Sequence, residues 1–66
     1  MVAVETVVVV EDMSFVIRAW SSRAADGWFW AARAEDHTFR LESQRPRASA
    51  RLATEAAVSK LHRVLG

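Results

Sequence analysis

The chain has no cysteine, one proline and two glycines among its 66 residues. Without cysteine there is no disulfide and no thiolate metal site. With two glycines there is no phosphate-cradling loop, and no G-x-S-x-G elbow surrounds any serine. His37 and His62 are the two histidines, one in an expected turn and one on the polar side of an expected helix, and no ligand spacing connects them. Glu35, Asp36 and Glu42 do not make an acid pair, because neighbours in a strand point to opposite faces and Asp36 lies in a turn. The sequence therefore points to no catalytic residue, no cofactor and no metal. No apolar run approaches the roughly 20 residues needed to span a bilayer. The N-terminus lacks a basic region and carries Glu5 inside its apolar stretch, so it reads as neither membrane anchor nor secretory signal. Cytoplasmic residence is the expectation.

What is present is short and alanine-rich. A chain of this length is one domain, and it buries only about 60% of the surface its unfolded form exposes. Of the 52% hydrophobic residues, many are alanines with little area to bury. Small domains compensate with disulfides, metals or self-association, and self-association is the remedy left here. Net charge is +1, so bulk electrostatics does not recruit nucleic acid strongly. The first 36 residues are acidic on balance and the remaining 30 basic, a split that suits ion pairing between the halves and is compatible with an anionic partner.

The chain reads as strands followed by a helix. Val2 to Val10 is rich in β-branched residues; its even positions would share one face, with Val7 and Val9 on the other. An uncharged run of four valines is an aggregation hazard on an open edge, so this strand is expected to pair, within the chain or with a neighbour's. Ser14 to Ser21 alternates as a second strand, with Phe15, Ile17 and Ala19 towards the core. Ser21 to Gly27 reads as a loop with Asp26-Gly27 as a hairpin turn signal. Trp28 to Glu35 is the third strand, with Trp28, Trp30, Ala32 and Ala34 on its core face. Glu35-Asp36-His37 is a polar turn before Thr38 to Ser43, where Phe39 and Leu41 oppose Thr38, Arg40 and Glu42. Pro46 ends the strand pattern. A helix is expected over about 48–65, with Ser49 as a candidate N-cap and Gly66 at the C-terminal cap. Its apolar stripe is Ala50, Ala53, Thr54, Ala57, Val58, Leu61, Val64 and Leu65. The fold class that follows is α+β: a three- to four-stranded antiparallel meander with one C-terminal helix packed on one face.

Two sets of residues have functional potential. The first is a dimer interface made by the valine-rich strand and the helix-free sheet face: Val7, Val8, Val9, Val10, Val16 and Trp20. The second is cationic. Arg18, Arg33 and Arg40 can share the open sheet face with Trp20 and Phe29, the arrangement single-strand binders use to stack bases beside phosphate contacts. Arg45, Arg47 and Arg51 cluster where the helix begins, a second place for an anion. Aromatics in a small sheet are more often core or interface than stacking platforms, so nucleic-acid binding ranks below self-association.

Phe15-x-Ile17, Gly27-Trp28-x-Trp30, a strand ending at Ser43 and a helix with Ala53, Ala57 and Val58 resemble the YegP-like family of small domains, also called DUF1508 or UPF0339. The resemblance covers roughly residues 14–61. It implies a three-stranded antiparallel sheet plus helix, often present as two tandem copies, and no established activity. Here one copy is present, and the expectation is a non-catalytic interaction or regulatory domain in which two chains pair as tandem copies do. A protein partner received by strand addition is a further possibility.

Overall fold

The computed structural model describes residues 2–22 and 25–66, with the side chains of 22–26 outside the description. Four strands, β1 (Val2–Val10), β2 (Met13–Ser22), β3 (Ala25–Ala34) and β4 (Arg40–Glu42), precede one helix, α1 (Ala50–Leu65). The strands form a single antiparallel sheet in sequence order, β1-β2-β3-β4. This is the expected α+β meander with a C-terminal helix, with four strands.

Register follows the alternation of apolar residues. Val8 stands opposite Phe15 and Phe15 opposite Ala34, while Ala19 stands opposite Trp30 and Ala32 opposite Leu41. Directly opposed residues share a face, so these side chains all lie on the helix-covered face of the sheet. The core is Val10, Phe15, Ile17, Ala19, Trp30, Ala32 and Ala34 from the sheet with Ala53, Ala57 and Leu61 from α1. Small helical residues lie against the sheet, and Phe15, Ile17 and Trp30 supply the bulk. Trp28 is half-buried at the margin. The Phe15 and Phe39 rings meet edge-on, with centroids 6.0 Å apart, the geometry that sets the positive edge of one ring against the negative face of the other.

The connections are tight and use unusual backbone conformations. Glu11 and Asp12 join β1 to β2, both with positive φ (52° and 62°), the signature of a type I′ turn whose twist matches the flanking strands. His37 also has positive φ (63°). Its N–H donates to the Ala34 carbonyl at 3.0 Å, and the Ala34 N–H donates to the Phe39 carbonyl at 2.9 Å, which closes the β3–β4 turn. Asp36 Oδ1 accepts from both the Thr38 hydroxyl (2.6 Å) and the Thr38 N–H (3.1 Å). These bonds, the hydroxyl's first, hold the Asp36 carboxyl below its ordinary range.

Several sequence-based boundaries move. The 21–27 stretch is mostly strand, and Asp26-Gly27 is not the hairpin turn: β3 already runs from Ala25. Residues 23 and 24, within the expected loop, lie outside the described residues. Gly27 has a different task. Its φ is +99°, and a Cβ there would sit 2.7 Å from Pro46 Cβ and 2.9 Å from the Arg47 carbonyl oxygen. It lets the chain pass close enough for Trp28 and Arg47 to exchange two backbone hydrogen bonds of 2.8 Å. β4 is shorter than expected because the ladder changes character at Ser43. There the Trp30 N–H donates to the serine hydroxyl (3.0 Å) while the Ser43 N–H donates to the Trp30 carbonyl (2.9 Å). The helix begins at Ala50, because Ser49 is extended (φ −150°, ψ 164°) and acts as N-cap through its hydroxyl to the Leu52 N–H. Val64, expected on the buried stripe, is 51% exposed.

Candidate functional site

Three surfaces bear on function, and the most exceptional is the β1 edge. β1 has a neighbour on one side only, so its other side presents unpaired backbone N–H and C=O groups. Its side chains are bare on both faces: Val2, Val4, Val7 and Val9 are 59%, 45%, 61% and 67% exposed. The cause is the placement of α1, which covers the Val8–Val10 end and leaves the Val2–Thr6 end uncovered on the same face. The expected interface set therefore divides. Val7 and Val9 are exposed, and Val16 and Trp20 are half-buried on the helix-free face. Val10 is withdrawn as an interface side chain, since it is a core residue at 2% exposure, and Val8 packs against the core beside it. The correction has a simple origin: even positions of β1 face the helix.

The helix-free sheet face brings together the expected cations. Val16 stands opposite Arg33, Arg18 opposite Ala31, and Arg33 opposite Arg40. Arg18, Arg33 and Arg40 line one shallow depression of about 290 Å³. Carboxylates are interleaved with them. Glu5 is the cross-strand neighbour of Arg18, and Glu42 pairs with Arg40 at 2.8 Å. Trp20 and Phe29 stack on each other, centroids 6.1 Å apart and ring planes 27° apart, so each ring already has an aromatic partner.

The third surface is a groove of about 500 Å³ between α1 and the 43–47 segment. It joins Arg45 and Arg47 to Lys60 and Arg63, two cations that the sequence reading left out. The signal was present in the helix pattern, where Ala56, Lys60, Arg63 and Val64 recur at i, i+4, i+7 and i+8 and so share one stripe. Arg51 is not part of the groove. It is exposed and lies 3.7 Å from Glu55, a pairing worth very little at such exposure. Lys60 Nζ lies 5.9 Å from the centre of the Trp30 ring, a distance at which the ring quadrupole attracts the ammonium.

Among the described residues, no three of His, Asp and Glu converge as a metal site requires. Among the described residues, no helix is long and apolar enough to cross a membrane. No family model matches the chain, and no curated protein or solved structure matches it.

Proposed function

We propose that the chain is a small non-catalytic interaction domain that acts as a homodimer joined through the β1 edges. The observation that carries this reading is the exposure of β1 on both faces at an unpaired sheet edge. Two copies pairing antiparallel about Thr6 would align Val2 with the partner's Val10 and Val4 with the partner's Val8. Each bare end then meets the partner's helix-covered end. The contact is self-complementary, as a two-fold interface must be, and this register keeps the two Glu5 carboxylates from standing directly opposite each other. Pairing also satisfies the unpaired edge backbone and joins the two sheets into one of eight strands. The YegP-like resemblance supports the same reading, because tandem copies imply that two such domains work side by side. By the same reading the protein carries no catalytic residue and acts in the cytoplasm.

The test is hydrogen exchange on the β1 amides that do not bond to β2. In the dimer they are protected, and protection falls on dilution. Fast exchange of those amides at every concentration contradicts the proposal and leaves the edge available to a different protein.

A second reading, single-stranded nucleic-acid binding on the open face, is favoured by one observation: Arg18, Trp20 and Arg40 surround a common depression of about 230 Å³. It requires binding of a mixed-sequence oligonucleotide that weakens steeply with salt. No binding at low salt removes it.

A further inference from the structure

We propose that the groove between α1 and the 43–47 segment binds a ligand carrying two or more phosphate groups. Arg45 and Arg47 from the segment converge with Lys60 and Arg63 from the helix, and no Asp or Glu lines the groove. Neither of the two ion pairs found among the described residues involves any of the four. Like charges gathered in one concavity repel one another and raise the local concentration of anions. The open sheet face differs, because Glu5 and Glu42 are interleaved with its arginines.

The chemistry of the cations narrows the anion. Three of the four are guanidinium groups, whose planar fork matches phosphate or carboxylate oxygens in a bidentate manner. Four cations exceed what one phosphate neutralises, and the groove's volume falls in the range of small-ligand sites, well above the size of a single phosphate. The site is anchored. The Trp28–Arg47 backbone pair and the Ser43–Trp30 bonds fix both ends of the 43–47 segment to β3, and Lys60 rests by the Trp30 ring. Val64 and Ala56 add an apolar wall for the organic part of a phosphorylated ligand. The groove is built within one chain on the side of the sheet away from β1, so it does not depend on the dimer reading.

Titrating ¹⁵N-labelled protein at low ionic strength tests this, with sodium pyrophosphate in one arm and the oligonucleotide (dT)10 in the other. The expected result is saturable amide shifts confined to residues 43–47 and 56–64, weakened by added NaCl. Lys60→Ala and Arg63→Ala each weaken binding by roughly tenfold. Neither residue belongs to the buried core, so both changes leave the rest of the spectrum in place. Saturation by pyrophosphate identifies a free phosphorylated ligand, and saturation by (dT)10 alone identifies a nucleic-acid backbone. The proposal is overturned if neither probe saturates, if shifts centre on Arg18, Trp20 and Arg40, or if both variants bind as tightly as the parent.

Discussion

β1 and β4 both lie at an edge of the same sheet, and they are finished in opposite ways. β4 is three residues long, carries the Arg40–Glu42 ion pair on its outer face, and gives way to a segment with Pro46 that turns back to bond with β3. Short length, charge and a nearby proline are the devices by which sheets discourage pairing with another chain. β1 has nine residues, one charge, and four valines more than 40% exposed. This contrast between the two edges supports the proposed pairing of two copies through β1.

Removing Trp30 from the closed side has the largest expected effect. Trp30 is 3% exposed, bonds to Ser43 and floors the groove. Trp30→Ala should cost about 3–5 kcal/mol, a large part of the roughly 3–10 kcal/mol that a domain of this size possesses. Thermal or urea unfolding measures it, and parent-like melting would contradict the packing described. The next largest effect belongs to the open edge. Val7→Glu with Val9→Glu should weaken dimerisation by about tenfold or more, because in the proposed register position 7 stands directly opposite the partner's Glu5 and like charges placed there repel. The far-ultraviolet spectrum should be unchanged because both side chains are exposed in the monomer. Glu42→Lys, placed on the guarded edge, should leave the dimer intact.

Gly27→Ala tests how the closed side is held. The added methyl meets Pro46 and the Arg47 carbonyl below van der Waals distance, at a φ that L-residues rarely adopt. A loss of about 1–3 kcal/mol is expected in denaturant melts. On the open side, Glu11→Asn with Asp12→Gly should stabilise by about 0.5–1 kcal/mol, because the type I′ positions now held by two acidic residues favour Asn-Gly. The smallest effect is at the β3–β4 turn. The Thr38 bonds lower the Asp36 pKa, so the folded chain binds that proton less readily than the unfolded chain. The resulting stabilisation is present above the ordinary aspartate range and is lost as pH falls through the lowered value. An NMR titration of Asp36 in Thr38→Ala should show the carboxyl moving back up.

Local pattern carried most of the architecture. β-Branched content in 2–10 and alternation in 14–21 located β1 and β2, and the apolar stripe through Ala53, Ala57 and Leu61 located the buried face of α1. The misreadings share a cause, which is contact between residues distant in sequence. Asp26-Gly27 has the composition of a hairpin turn, yet Gly27 is needed for the close pass of Pro46 and Arg47. Arg45 and Arg47 were visible as a basic cluster, but their grouping with Lys60 and Arg63 arises only when the helix folds back over β3. Val10 belongs to a strand that reads as one apolar block, and the reach of α1 along β1 decides which of its valines are covered.

Joining of two copies through the β1 edge doubles the particle mass in solution. Size-exclusion chromatography with light scattering at micromolar concentration measures this directly. A dimer joined through the β1 edges has twice the chain mass of 7.4 kDa, and the Val7→Glu, Val9→Glu variant shifts towards the single-chain mass. A parent protein that elutes at 7.4 kDa across the micromolar range would contradict it.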